Sequence, residues 1–211
     1  MSYSKLLTSV ILVAVFVVPT FAHAEKGFKP LFNGKGLKGW DGDEKLWSVD
    51  DGAILGSTHG NKITSNTFLS TKKTYKDFVL RVKTKLENGN SGIQFRSEQR
   101  RNFVVAGYQA DLAEKTYFGM LYEEKKRGIM EYWKALSKEE QAAIHATGKQ
   151  GDWNQFEITC KGDHIKIVLN GKTTLDFDDP EGAKEGVIAL QLHVGEDMRV
   201  WFKDIEIKEL K

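Results

Sequence analysis

The sequence contains a single cysteine, Cys160, and almost no excess of charge of either sign. One cysteine excludes a disulfide within the chain, and its place in an alternating apolar segment indicates a small core residue. The 31 basic residues are nearly balanced by 29 acidic residues. Because a chain without a strong basic excess does not attract nucleic acid over its whole surface, we expect no nucleic-acid partner.

Motifs of several common enzyme classes are missing as well. The sequence has no G-x-S-x-G nucleophile motif, no phosphate-binding P-loop, no H-E-x-x-H and no cysteine pair with the spacing of a zinc site. The histidines after residue 24 stand singly along the chain. We therefore expect no metal site and no cofactor. An assisting divalent cation is left open, although no motif supports one.

The first residues have the composition of an export signal. Lys5 precedes an uncharged apolar run at 6–18, and a small-x-small pattern ends at Ala24. This order is typical of a secretory signal peptide, and the run is shorter than the roughly 20 residues that a membrane-spanning helix needs. We expect a signal peptide at 1–24 and one exported domain at 25–211, periplasmic or extracellular, with no membrane association after cleavage.

The rest of the chain alternates between apolar and polar residues with a period of two. The pattern is clearest at 78–86, 155–160 and 164–169, and the Asn170-Gly171 pair predicts a tight hairpin turn before a strand at 173–177. Further strands are predicted at 45–49, 52–56, 66–70, 91–97, 104–112, 187–194 and 199–209. About ten short strands separated by turn residues indicate an all-β, two-sheet antiparallel sandwich.

One segment departs from the strand pattern. Residues 123–148 are charged and rich in helix formers, and Ser137 followed three residues later by Glu140 is a capping-box pattern. We predict one short helical excursion that ends near Gly148. Such an excursion either contributes binding residues or covers a sheet edge, and the sequence leaves both interpretations open.

Three predicted strands each place two polar side chains on one face. The pairs are Gln94 with Arg96, Gln109 with Asp111, and Gln191 with His193. If these strands are neighbours, their amide, guanidinium, carboxylate and imidazole groups form a floor suited to a ligand made of hydroxyls. The alternative is an ordinary solvated sheet face.

Several stretches carry a resemblance to a known family. They are FKPLFNGKGLKGW (28–40), NSGIQFRS (90–97), GYQADL (107–112), YFGMLYEEKKRGIM (117–130), GDWNQFEI (151–158) and GVIALQLHVG (186–195). From 28 to 210 the sequence resembles the 3-keto-disaccharide hydrolase domain family, whose fold is similar to that of concanavalin A-like lectins and glucanases. The resemblance implies a jelly-roll sandwich whose concave sheet binds an oligosaccharide or glycoside oxidised to a ketone at carbon 3.

The resemblance also implies a chemistry for the polar residues. A 3-keto group acidifies the hydrogen on carbon 2, so a base can remove it, and the glycosidic oxygen then leaves by elimination before water adds. On this hypothesis the base is Asp111 or Glu124, the enolate is stabilised by Arg96 or Arg127, and His193 is an acid or a sugar ligand. Gln94, Gln109, Tyr122 and Gln191 would hold hydroxyls, and Trp133 would stack on a sugar ring.

Three other interpretations compete with elimination. A direct two-carboxylate glycosidase mechanism is one, although the sequence lacks the closely spaced acids, such as E-x-D-x-x-E, that usually accompany it. A non-catalytic, lectin-like carbohydrate-binding module has the same fold and is the second. A structural or partner-binding exported domain is the third, and it would need no polar floor.

Overall fold

The computed structural model describes residues 26–113, 116–195 and 197–211. The predicted signal peptide and its cleavage site lie outside these residues. The strands are β1 (Lys29–Pro30), β2 (Trp40–Asp41), β3 (Trp47–Asp50), β4 (Ala53–Ser57), β5 (Thr67–Tyr75), β6 (Phe78–Glu87), β7 (Gly92–Gln99), β8 (Val105–Asp111), β9 (Leu121–Glu124), β10 (Gly128–Ile129), β11 (Asn154–Lys161), β12 (His164–Leu169), β13 (Lys172–Asp178), β14 (Gly186–Leu192) and β15 (Arg199–Glu209). The helices are a 3-10 turn (Arg101–Phe103), α1 (Glu131–Ala135) and α2 (Lys138–His145).

The strands form two antiparallel sheets, which confirms the predicted jelly-roll sandwich. An eight-stranded sheet has the order β13-β12-β11-β6-β15-β4-β3, with β1 beside β15. A seven-stranded sheet has the order β10-β9-β8-β7-β14-β5-β2. Strands β7, β8 and β14, which carry the predicted polar pairs, are neighbours, so their side chains share one region of the second sheet. Within the described ranges no helix is long and apolar enough to span a bilayer.

The core lies between the two sheets and follows from the alternation. Phe156, Ile158 and Cys160 of β11 oppose buried residues of β6 and are inaccessible to solvent. Tyr108 and Leu190 meet them from the seven-stranded sheet in the same hydrophobic cluster. Burial raises the pKa of the Cys160 thiol to about 12. The lone cysteine is therefore a core residue, as its place in the alternating segment indicates.

Two local predictions are confirmed at the level of the backbone. Asn170 and Gly171 have φ angles of 50° and 82°, the positive values that a type I′ hairpin turn requires between β12 and β13. The Ser137 side chain accepts a hydrogen bond from the backbone N–H of Glu140, whose carboxylate accepts one from the N–H of Ser137. This capping box begins α2, as predicted.

The excursion at 123–148 is shorter and more complex than predicted. Its first residues belong to β9, and β10 follows after a turn, so the seven-stranded sheet continues into the segment. Two short helices follow instead of one. Leu121, just before the segment, is buried in the core, and this contact holds β9 on the sheet. Strand β9 was not predicted because it is only four residues long and the segment around it is rich in charged residues.

Candidate functional site

A pocket opens on the face of the seven-stranded sheet that points away from the core. Its volume is about 210 Å³. Strands β8, β9, β10 and β14 and the loops beside them supply the lining. The lining residues are Asn66, Asn90, Gln109, Asp111, Tyr117, Met120, Tyr122, Glu124, Ile129, Gln191 and His193. Six of the residues proposed from the sequence are therefore brought together: Gln109, Asp111, Tyr122, Glu124, Gln191 and His193.

Strand β8 directs Gln109 and Asp111 into the pocket because its alternate residues are committed to the core. Tyr108 and Ala110 are buried in the hydrophobic cluster, so their neighbours point to the other face. Gly92 stands opposite Asp111 on β7, where an added Cβ would come within 2.2 Å of the Gln109 side chain. A glycine is required there, since any larger residue would displace Gln109.

Two glutamine amides connect the acidic residues of the site. Gln109 Nε2 donates to Asp111 Oδ1 at 2.8 Å and lies 3.3 Å from Gln191 Oε1. Gln191 Nε2 in turn donates to Glu124 Oε2 at 3.3 Å. Since an ionised carboxylate only accepts hydrogen bonds, Asp111 and Glu124 fix which end of each amide faces them. The result is a chain of hydrogen bonds between two carboxyl groups on neighbouring parts of the sheet.

Asn66 is a further hydrogen-bond donor to the Glu124 carboxylate. Its Nδ2 donates to the two carboxylate oxygens of Glu124 at 3.4 and 3.5 Å, and its Oδ1 accepts from the backbone N–H of Val194 at 3.0 Å. Glu124 is 6 % exposed and receives N–H donors from both sides. The carboxylate is thereby held in one position on the pocket wall.

Asp111 is the residue whose protonation is most affected by the site. Burial raises the pKa of its carboxyl to about 7, against the opposing effect of the Gln109 and Leu112 N–H donors, and the charge of Glu124 raises it further. Near neutral pH the group is therefore present in both its protonated and its ionised form. A carboxyl of this kind can both accept and return a proton.

Two further lining residues offer polar atoms to a ligand. Burial raises the pKa of Tyr122, and the charges of Glu124 and Asp111 raise it further, so its hydroxyl stays neutral and able to donate. His193 Nδ1 lies 2.6 Å from the carbonyl oxygen of Val194. Because a carbonyl only accepts, Nδ1 carries the proton in the neutral ring, and Nε2 is the acceptor that remains.

Arg96 does not belong to the site, and its predicted role in stabilising an enolate is wrong. The pairing of β7 with β8 shifts between Phe95 and Glu98, and Arg96 has a φ of 46°. This bulge interrupts the alternation, so the side chain no longer follows Gln94. Its buried guanidinium donates to Lys76 O, Gly162 O and Asp77 Oδ1 at 2.7 to 2.8 Å.

Arg127 also lies outside the pocket lining, so its predicted contact with an enolate is corrected. Its guanidinium donates to Glu123 and to Asp179, and it lies over the Tyr108 ring at 5.7 Å from the centroid. Glu123 points away from the pocket because it alternates with Tyr122 and Glu124 on β9. Arg127 therefore connects the turn after β9 to the loop after β13, at the edge of the sandwich.

Gln94 and Trp133 are placed below the surface that a ligand would meet. The Gln94 amide is fully buried, donates to Gln109 Oε1 at 2.8 Å and accepts from Ser97 Oγ at 2.7 Å. Both of its polar ends are in use, so it supports Gln109 and does not hold a sugar hydroxyl. Trp133 is 3 % exposed and packs edge-on against Tyr117 and Tyr132. Its predicted stacking on a sugar ring is incompatible with this burial.

Five lining residues were missed by the sequence analysis: Asn66, Asn90, Tyr117, Met120 and Ile129. Asn66 and Asn90 stand just before β5 and β7, where asparagine is also an ordinary turn residue. Tyr117 and Met120 belong to the connection between β8 and β9, which has no periodic pattern. The only signal in the sequence for these five residues is that they lie next to strands that carry other site residues. Among the residues described, no group of three or more His, Cys, Asp or Glu side chains is arranged to hold a metal ion.

Comparison with known proteins relates both sequence and fold to carbohydrate-active proteins. The family model described as 3-keto-alpha-glucoside-1,2-lyase-like domain matches residues 27–208. A comparison with curated proteins finds no match. A candidate glycosyl hydrolase from Parabacteroides distasonis is 23% identical with a TM-score of 0.63, over 88% of this chain and 94% of that one. The carbohydrate-binding module CBM66 from Bacillus subtilis is 15% identical with a TM-score of 0.56, over 81% of this chain and 96% of that one. At these identities the two structures show a shared fold.

Proposed function

Because the chain belongs to the 3-keto-alpha-glucoside-1,2-lyase-like domain family, we propose that it is a carbohydrate-active enzyme that cleaves glycosides carrying a ketone at carbon 3. The observation that carries the proposal is the pair of carboxyl groups, Asp111 and Glu124, joined through Gln109 and Gln191 in one pocket. Fold likeness alone would be equally consistent with a binding module.

The proposed reaction begins with removal of the hydrogen on carbon 2. Asp111 is the base, since a carboxylate with a pKa of about 7 is the strongest carboxylate base that is still ionised at neutral pH. The C–H electron pair forms an enolate with the ketone at carbon 3. The neutral Tyr122 hydroxyl, which lines the pocket, is the donor proposed for the enolate oxygen.

Elimination then breaks the bond between carbon 1 and the glycosidic oxygen. A double bond forms between carbons 1 and 2, the ketone is restored, and the leaving oxygen takes a proton from protonated Asp111. His193 Nε2 is left as an acceptor for a sugar hydroxyl. Addition of water across the double bond, with hydroxyl at carbon 1 and hydrogen at carbon 2, gives the free 3-keto sugar. The net reaction is hydrolysis, with no change in oxidation state.

The pocket volume is consistent with this chemistry. About 210 Å³ is enough for one sugar ring and little more, so the pocket would enclose the oxidised ring and leave the rest of the glycoside outside. A direct two-carboxylate displacement would need a water or a nucleophile aligned on carbon 1. Gln109 and Gln191 link the two carboxyl groups through hydrogen bonds, and Asp111, whose pKa is raised to about 7, is the one suited to act as the base.

The test is turnover of methyl 3-keto-α-glucoside against the unoxidised methyl α-glucoside, each with and without EDTA. The proposal expects release of methanol from the keto substrate alone. Cleavage of the unoxidised glucoside would support direct hydrolysis instead. Sugar binding without turnover of either compound would identify a lectin-like module, and the EDTA arm would decide whether a divalent cation assists.

A further inference from the structure

The loop between β6 and β7 is fixed on the sheet next to the pocket. Asn88 and Gly89 turn the chain with φ angles of 62° and 86°. Asn88 Nδ2 donates to the carbonyl oxygen of Asp197 at 2.8 Å. The entrance to the loop is therefore tied to the segment that precedes β15.

The exit of the same loop is tied to the two strands that carry the site. Ser91 is completely buried, and its Oγ donates to the carbonyl oxygen of Gln191 at 2.7 Å. The carbonyl oxygen of Ser91 accepts from the N–H of Leu112, next to Asp111, at 2.9 Å. Asn90 stands between Asn88 and Ser91, so its backbone is held in place relative to both Gln191 and Asp111.

The side chain of Asn90 presents an unused acceptor at this position. Asn90 lines the pocket, and its Oδ1 is buried without a hydrogen-bond partner among the described residues. A buried carbonyl oxygen that loses its contact with water and gains no donor is unfavourable, so such atoms normally have a partner. The other pocket amides, Asn66, Gln109 and Gln191, each have both polar ends bonded within the protein. Asn90 is distinct from them in having an acceptor to offer.

We propose that Asn90 is a specificity-determining residue whose amide oxygen accepts a hydrogen bond from one hydroxyl of the bound sugar. The inference rests on the proposed function for the nature of the ligand. A donor supplied by the ligand satisfies Oδ1, whereas a sugar that lacks this hydroxyl leaves it buried and unpaired. The site therefore selects against one particular deoxy sugar, and the rigid loop makes this selection independent of any movement of the sheet.

The test measures binding, by calorimetry, of methyl α-glucoside and its 2-, 3-, 4- and 6-deoxy analogues. For the unsubstituted protein, one analogue is expected to bind about tenfold more weakly than the parent sugar, the usual value of one buried hydrogen bond. Asn90→Ala is expected to weaken binding of the parent sugar and of the other analogues by about the same factor, while leaving that one analogue unchanged. Asn90→Asp, which keeps an acceptor, is expected to retain the discrimination. Asn61→Ala, an exposed amide outside the pocket lining, is the matched control.

The outcomes separate this inference from the function on which it rests. Sugar binding with an equal loss for all analogues in Asn90→Ala, or with no loss, overturns the role of Asn90 and leaves the proposed function intact. Loss of discrimination in Asn90→Asp as well as in Asn90→Ala overturns the acceptor role. Failure of the unsubstituted protein to bind both these glucosides and methyl 3-keto-α-glucoside overturns the inference together with the proposed function.

Discussion

At the scale of single residues, the site depends on the burial of one carboxyl group beside another. Asp111 has lost most of its contact with water, and Glu124 adds a like charge. Both effects favour the protonated form of Asp111, and the Gln109 N–H donor only partly opposes them. The arrangement lowers stability at neutral pH and places a proton acceptor in the pocket, a combination that is common at functional sites.

Asp111→Asn is expected to stabilise the protein at pH 8 while reducing turnover by roughly a hundredfold or more. Since the folded pKa lies above the unfolded value of about 3.8, the folded chain binds the extra proton between about pH 4 and pH 7. Stability therefore falls as pH rises through this window and levels off above it. The variant has no carboxyl at this position, so this loss of stability does not occur. At pH 8 its free energy of unfolding should exceed that of the unsubstituted protein by up to about 4 kcal/mol.

Urea unfolding at pH 4 and at pH 8 measures this effect. The variant and the unsubstituted protein should have similar stability at pH 4 and differ at pH 8. Asp43→Asn is the control, because either side chain can accept the turn hydrogen bond from the N–H of Lys45. An Asp111→Asn protein that is less stable at pH 8 would contradict a buried carboxyl with a raised pKa.

Gln109→Met is expected to raise the pKa of Asp111 further. The substitution keeps the length of the side chain and removes the N–H that stabilises the ionised carboxylate. Carbon-13 NMR of the Asp111 carboxyl should show a titration midpoint at higher pH than in the unsubstituted protein. The acid limb of the pH–rate profile should shift to higher pH by the same amount. An unchanged or lower midpoint would show that Gln109 does not act on Asp111.

At the scale of elements, the alternation of β8 and β14 was sufficient to predict Gln109, Asp111 and Gln191 on one face. The same reasoning failed on β7, because the bulge at Arg96 reverses the direction of the side chain after Gln94. Glu124 and Tyr122 were proposed only through the family resemblance, since β9 is too short for its alternation to be evident. Bulges and four-residue strands depend on contacts with neighbouring strands, which a single sequence does not reveal.

Arg96→Met is expected to reduce stability by about 3 kcal/mol without a specific effect on the site. The change removes a buried guanidinium. It takes the Arg96 N–H groups away from the carbonyls of Lys76 and Gly162, and it leaves Asp77 Oδ1 with the Gly162 N–H as donor. Urea unfolding checks the magnitude, and Arg100→Met, which breaks an exposed pair with Glu98, should change stability by less than about 0.5 kcal/mol. Full stability with loss of turnover would restore Arg96 as a catalytic candidate.

Arg127→Met is expected to loosen the hairpin of β9 and β10 and so act on Glu124 indirectly. Burial alone would raise the pKa of Asp179, but hydrogen bonds from Arg127 and Tyr108 outweigh it and lower that pKa. The Arg127–Asp179 pair therefore stabilises the protein at pH values above the unfolded pKa of Asp179. This stabilisation is lost as the pH falls through the folded pKa. Because the Arg127 guanidinium is 42 % exposed and water screens its charge, the variant should lose about 1 kcal/mol of stability near neutral pH and less in acid.

Hydrogen exchange of residues 121–129 distinguishes this positioning role from catalysis. Faster exchange there, together with reduced turnover, is the expected result. Reduced turnover with unchanged exchange and unchanged stability would indicate that Arg127 contacts the substrate. Lys83→Met, which removes an exposed pair with Asp204 on the other sheet, should leave exchange in this segment unchanged.

At the scale of the whole molecule, the two-sheet sandwich was predictable because nearly every long strand has one face in the core. Strands β6, β11, β12 and β15 alternate between buried and less buried residues over most of their length. The strand order was not predictable, because pairings such as β7 with β14 join segments far apart in the chain. The export signal and the location of the mature domain remain predictions.

The central claim is that bond cleavage proceeds through loss of the hydrogen on carbon 2 to Asp111. The most direct measurement is the reaction of methyl 3-keto-α-glucoside in D₂O, with early product analysed by NMR and the product alone in D₂O as the control for uncatalysed exchange. Elimination followed by hydration predicts deuterium at carbon 2 of the released 3-keto-glucose, and Asp111→Asn should suppress both release and incorporation. Release of 3-keto-glucose that keeps its original hydrogen at carbon 2 would contradict the claim.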